Sequence, residues 1–263
     1  MEKEPRGDKL VTTSKKKWTK NQNITEGKIK QLSEELDASE LFIKVCLQKG
    51  LTSVKDIQHF ITVDETWFHD PFLMYDMEKG ITRIAEALEN NEKITVYGDY
   101  DADGMTSTAL LMEALDSLGA NVDYFLPNRF IEGYGPNVTA FEKIIKEGTS
   151  LIITVDNGVA GHEAIEFAQN QNVDVIVTDH HEIPEELPNA YAIIHPKHPK
   201  GEYPFTDLSG VGVALKIATA LMGELPVEML DLAAIGTVAD LVSLTDENRA
   251  IVYYGLQMLE NTQ

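Results

Sequence analysis

Five short, almost wholly apolar runs dominate the middle of this chain. They occupy residues 94–98, 122–126, 151–155, 173–178 and 190–194. Between and after them lie stretches with helical periodicity, at residues 105–118, 137–147, 162–170 and 210–222. Runs such as LIITV and VDVIVT leave neither alternating face polar, so both faces of the strands they form must be covered. Strand and helix patterns that alternate in this way predict an α/β fold: a mainly parallel sheet with helices on both faces.

The flanks read differently. Residues 1–27 lack periodicity and are expected to be a mobile basic tail, and residues 28–92 a helical N-terminal extension. Within that extension, residues 28–50 turn helical, residues 51–60 form a short helix capped by Thr52 or Ser53, and the aromatic, Pro71-containing stretch 67–74 is a loop. Residues 76–90 form a helix leading into the first strand, and residues 93–263 are the core. Its tail, 227–259, is helical and broken near 239–245.

Charge narrows the partners. Residues 1–30 carry a net +5, whereas the remainder carries −26. So acidic a body is a poor general binder of polyanions, and a nucleic-acid substrate would need metal ions and a few placed cations to hold its phosphates. Cys46 is the single cysteine, which excludes an internal disulfide and a thiolate-rich metal site. No apolar run is long enough for a membrane span and the amino terminus has no apolar signal core, so a cytoplasmic location is expected.

Ligands of open parallel sheets bind at the carboxyl ends of the strands. Acidic and imidazole residues collect at those positions: Asp99, Asp101 and Asp103 after the first run, Asp156 after the third, and Asp179, His180 and His181 after the fourth. Asp240 sits where an apolar helical stretch breaks. Three like charges at one strand end repel unless a cation neutralises them. Carboxylates with one or two imidazoles and no thiolate suit Mn²⁺ or Mg²⁺, and this many can hold two ions about 3.5–4 Å apart, the spacing of phosphoryl-transfer sites. His195 and His198, set between prolines, read as structural.

The order GDYDADG with TSTALL, then VDNG, VTDHH and GTVADLV closely resembles the motifs of the DHH phosphoesterase family. DPFLMYDMEKGITRI, RFIEGYGPN, IIHPKHP, LSGVGVALKI and NRAIVYYGL resemble, within it, the RecJ group of single-strand-specific 5′→3′ DNA exonucleases. The resemblance runs over residues 32–259. It implies that Asp101 and Asp103 ligate metal, that Asp156 bridges two ions, that His180 is the metal-binding first histidine and Asp240 the late carboxylate ligand. Asp99 completes the first cluster, and His181 either ligates or orients a ligand or phosphate. Arg129, one of few cations in the acidic body, is the candidate for gripping a phosphate, and Gly210 and Gly212 for offering it backbone N–H groups.

The implied activity is metal-dependent hydrolysis of single-stranded DNA in recombination and repair, with repair or helicase proteins as partners and no membrane. Tyr97 stands where some DHH relatives have a histidine, which argues against the small-dinucleotide branch. The resemblance also implies a DHH-associated domain and an OB-fold beyond Gln263, outside this chain, carried in a longer protein or supplied in trans. Two rival readings remain open here: a phosphodiesterase for dinucleotides or short oligonucleotides, and a truncated or non-catalytic scaffold.

Overall fold

The apolar runs become strands β1 (Ile94–Tyr97), β2 (Val122–Phe125), β3 (Leu151–Val155), β4 (Asp174–Thr178) and β5 (Ala192–Ile194). The structure is a computed structural model that describes residues 24–131 and 133–260. Every strand pairing is parallel, and the order across the sheet is β2-β1-β3-β4-β5. The expected tail 1–27 falls almost entirely outside the described residues.

The strands divide their side chains by the period of two. Ile94, Val96, Leu151, Ile153, Val155, Ile176, Ala192 and Ile194 enter one core, while Tyr97, Ile152, Val175, Val177 and Ile193 enter the other. The first core is covered by α4 (Met77–Glu89), α5 (Ala102–Ser117), α8 (Gly210–Met222), α9 (Leu230–Ala239) and α10 (Asp246–Leu259). The second is covered by α6 (Val138–Lys146) and α7 (His162–Asn170). Each fully buried aliphatic side chain contributes about 1.5–3 kcal/mol. The expected parallel sheet with helices on both faces is therefore what forms.

The described residues divide into two units, one ending at Thr62 and the other beginning at Val63. In the first, α1 (Glu26–Leu36), α2 (Glu40–Gln48) and α3 (Val54–Ile61) enclose Ile29, Leu32, Ile43, Cys46, Leu47 and Ile57. Asp37, in the left-handed region at φ 49°, ends α1, and Ser39 caps α2. Ser53 caps α3 in a reciprocal box with Asp56.

The two compact units part at 62/63, ahead of the expected 92/93 boundary. Residues 63–92 belong with the sheet because α4 lends Met77, Ile84 and Ala87 to its core. Arg83, buried on α4, grips Asp174 at the start of β4 and Glu92 before β1, each at 2.6 Å. The expected loop at 67–74 holds two short 3₁₀ turns, Glu65–Trp67 and Pro71–Leu73.

Register places the motifs side by side. Tyr97 is level with Thr154 and Val155 with Thr178, so the chain positions of Asp99, Asp156 and Asp179 fall in one row beyond the carboxyl ends of β1, β3 and β4. The strand order reverses direction between β1 and β3, and ligand clefts open at such a point in parallel sheets.

Candidate metal centre

The first motif is bent around the start of α5. Asp99 is buried and accepts from the Tyr100 N–H at 2.8 Å. Asp101 caps the helix, taking the Gly104 N–H at 2.9 Å. Gly104 is required there, because a Cβ on it would lie 2.5 Å from the Asp99 Cβ. Asp103 is buried in the first helical turn, where the helix dipole favours an anion. Both its oxygens are held by the start of α8: Gly210 N–H donates at 2.7 Å and Val211 N–H at 2.9 Å.

Asp156 follows β3 with φ 61°, a left-handed conformation that costs a non-glycine residue about 1–3 kcal/mol. That bend brings its Oδ1 to 3.1 Å from His180 Nε2. Its Oδ1 is buried and makes no hydrogen bond among the described residues. Burial, and then the neighbouring Asp101, push its carboxyl up to about 9; burial, and then Asp156, push Asp103 up to about 7.

The third motif is organised by its first residue. Asp179 accepts from the backbone N–H groups of Val159 (3.0 Å), His180 (2.7 Å) and His181 (3.1 Å), and from His181 Nδ1 at 2.7 Å. Burial alone would raise this carboxyl, but the bonds from His181 and Val159 hold it below its usual range. The same side-chain bond pushes His181 up to about 9. Tyr134 Oη lies 3.2 Å from the His181 ring nitrogens and 3.4 Å from the Asp156 carbonyl oxygen. His195 braces the loop from behind. Its Nδ1 accepts from Lys197 N–H at 2.9 Å, which leaves Nε2 to donate to the His181 carbonyl at 3.0 Å, and burial holds this imidazole down at about 4.

Asp240 ends α9, and Leu241 after it turns the chain through φ 62°. His180 Nε2 faces three carboxylates: Asp156 Oδ1 at 3.1 Å, Asp240 Oδ2 at 3.7 Å and Asp103 Oδ2 at 3.8 Å. Although 3.1 Å apart, His180 Nε2 and Asp156 Oδ1 make no hydrogen bond, and both are buried. Buried lone pairs that converge without a donor fit a shared cation.

Three groups of side chains bring their ligand atoms within 4.8 Å of one another: Asp99, Asp101 and Asp156; Asp156, His180 and His181; Asp103, His180 and Asp240. Asp156 and His180 each belong to two of them. A cavity of about 120 Å³ between Asp101, Ala102, Asp103, Ala239 and Asp240 opens beside the cluster. All seven residues read from the sequence as ligands or catalytic groups thus come together, and their oxygen and nitrogen donors suit Mn²⁺ or Mg²⁺.

The phosphate candidates fare differently. Arg129 is exposed, with its guanidinium 5.4 Å over the Tyr100 ring, so it sits beside the first motif. The expectation for Gly210 and Gly212 is corrected. The Gly210 N–H is committed to Asp103 and the Gly212 N–H to Ser209 Oγ at 3.1 Å, and both residues are buried. What Gly210 supplies is room, since a Cβ there would lie 2.4 Å from Asp156 Oδ1. The orienting role of Asp179 and the approach of Tyr134 were not deduced from sequence. The carboxylate next to the histidine pair was the available signal for Asp179, and the tyrosine within EGYG for Tyr134.

A parallel sheet with helices on both faces and a carboxylate–imidazole cluster at its switch point defines an α/β protein with a candidate divalent-cation centre. The sequence profile of the DHH family, N-terminal domain, matches residues 93–237, and the chain belongs to the DHH family. It is 48% identical over 252 residues to the single-stranded-DNA-specific exonuclease RecJ of Bacillus subtilis (strain 168), an alignment spanning 96% of this chain and 32% of that protein. With RecJ of Escherichia coli (strain K12) the identity is 36% over 235 residues, 83% of this chain and 40% of that one. The crystal structure of exonuclease RecJ bound to manganese matches with a TM-score of 0.65 at 37% identity, over 70% of this chain and 48% of that one. RecJ from Thermus thermophilus in complex with Mn²⁺ matches with a TM-score of 0.72 at 28% identity, over 91% and 34%. The chain therefore spans about a third of the length of its curated relatives. Among the described residues no helix is long and apolar enough to cross a membrane.

Proposed function

We propose that this chain carries the catalytic centre of a metal-dependent phosphodiester hydrolase that degrades single-stranded DNA from the 5′ end, in recombination and repair. The observation that carries the reading is the overlap of the three ligand groups at Asp156 and His180, with the buried Asp156 Oδ1 left without a donor. The names of the relatives support the substrate, and the manganese-bound RecJ structures support the ion.

In this reading Asp99, Asp101 and Asp156 would hold one ion, and Asp103, His180 and Asp240 would hold a second. Bound Mn²⁺ or Mg²⁺ would supply an activated water and offset the charge that builds on the phosphoryl oxygens. The protein's own part is positional. Asp179 fixes the His181 ring through Nδ1 and so leaves Nε2 to face ligand or phosphate. Arg129, held over Tyr100, is the cation offered to a phosphate in an otherwise acidic body.

The test is digestion of single strands, labelled at the 5′ or the 3′ end, with Mn²⁺. The chain is expected to release label from the 5′ end first, and Asp156→Ala to be slower by more than about 10²-fold. Equal rates for the two proteins would sink the role given to Asp156. A substrate series from dinucleotides upward completes the test: preference for the shortest would replace this reading with that of a short-oligonucleotide phosphodiesterase.

A further inference from the structure

The NRAIVYYGL stretch takes no direct part in the ligand cluster. Its first residue, Asn248, is fully buried in the first turn of α10. Asn248 Nδ2 donates to the carbonyl oxygens of Asp207 at 2.6 Å and Ser243 at 3.0 Å. Two carbonyls accept there, so the NH₂ end of the amide must face them. Its Oδ1, by contrast, has no partner among the described residues. A position needed only for packing would be better filled by an apolar side chain.

The two carbonyls belong to the segments that deliver two ligands. Asp207 lies in the lead-in to α8, whose first N–H groups hold Asp103. Ser243 lies in the loop that follows Asp240. The Asp207 carboxylate also takes the Ser243 N–H at 3.2 Å, and Ser209 Oγ meets Thr237 Oγ1 of α9 at 2.8 Å. Behind Asn248, Glu247 is paired with buried Lys216 of α8 at 2.5 Å, and accepts from His69 N–H at 2.9 Å and from the Tyr203 hydroxyl. The start of α10 is thus fixed to α8, and from it one amide reaches both segments. Among the described residues neither hydrogen bond of Asn248 goes to Asp99, Asp101 or Asp156.

We infer that Asn248 is a positioning residue for one of two cation sites: it sets Asp240 against Asp103 around His180 and so tunes the affinity of that site alone. The inference rests on the metal-centre reading above. Removing the amide takes the donor from the Asp207 and Ser243 carbonyls and frees the loop that follows Asp240. Losing a supporting contact of this kind weakens a metal site by about 10–100-fold.

The experiment is calorimetric titration of the full chain with Mn²⁺, beside Asp240→Ala and Asp101→Ala, which each remove a member of a different ligand group. Asn248→Ala is expected to weaken by about 10–100-fold the binding class that Asp240→Ala removes. It should leave the class removed by Asp101→Ala unchanged, and add no further loss in the Asp240→Ala background. Asn248→Ser, which keeps one donor, should fall between. Melting in chelator reports folding, and if Asn248→Ala fails to melt cooperatively the serine variant carries the same comparison. Even weakening of both classes, unchanged binding, or an additive loss in the double variant overturns the inference. If Asp240→Ala itself leaves Mn²⁺ binding untouched, the metal-centre reading fails and this inference falls with it.

Discussion

Gly210→Ala tests the site through one methyl group. The new Cβ would stand 2.4 Å from Asp156 Oδ1 and 2.6 Å from its Cβ and Cγ, about 1 Å short of an ordinary contact. Asp156 cannot swing aside cheaply, because it is buried and held in a left-handed bend at φ 61°. If α8 retreats instead, the N–H groups of Gly210 and Val211 lose Asp103. Either way Asp156 or Asp103 is displaced by roughly 1 Å, a misplacement worth about 10²-fold in rate. Overpacking of this kind costs about 1–3 kcal/mol, or a melting temperature lower by a few to about 10 °C in a chain of this size. Gly212→Ala is the matched control. Its Cβ meets Leu208 Cδ2 at 3.1 Å, Ser209 Oγ at 3.2 Å and Leu208 Cβ at 3.5 Å, a tight fit but no overlap as deep as at Gly210, while alanine gains about 1 kcal/mol of helix propensity. Mn²⁺ affinity by calorimetry, melting temperature, and initial rate on 5′-labelled single strands read the outcome. Parent-like Gly210→Ala, or equal damage from Gly212→Ala, would refute the reasoning.

Two further outcomes are expected. Burial and neighbouring carboxylates hold Asp156 near 9 and Asp103 near 7, against about 3.9 in an unfolded chain. In chelator the folded chain therefore binds more protons than the unfolded one, and it loses stability as pH rises from about 4 to about 9. Mn²⁺ should raise the melting temperature more at about pH 8.5 than at about pH 6, and a pH-independent gain would count against the carboxylates as ligands. Arg83→Ala should destabilise by about 2 kcal/mol in urea melts, below the usual cost of breaking a buried pair because Asp174 is partly exposed. A loss under about 0.5 kcal/mol would deny that Arg83 ties α4 to the sheet.

Much of this fold was legible because apolar runs of four to six residues between helical stretches leave few alternatives to a parallel sheet. Strand order was not legible. Periodicity says which faces are buried but not which strand is the neighbour, and the order β2-β1-β3-β4-β5 emerges only from pairing. The place of residues 63–92 was hidden for the same reason: the pattern of α4 shows an apolar face without showing that β5 lies against it. The residues that cluster at the candidate centre were readable because acids at the ends of buried strands have no cheap structural explanation. Gly210 was misread because its neighbour in space is 54 residues away in sequence, at Asp156. The N–H groups expected to face a phosphate were already taken by Asp103.

The row of strand ends has a consequence for how the centre comes into being. Its candidate ligands leave the sheet from β1, β3 and β4 and return from the far end of α9, so no contiguous piece of chain holds a complete set. Ion capture therefore waits for contacts of high sequence separation, which close late and slowly in folding. An ion held there would link β1, β3, β4 and α9 and so resist the opening of the sheet-bearing unit.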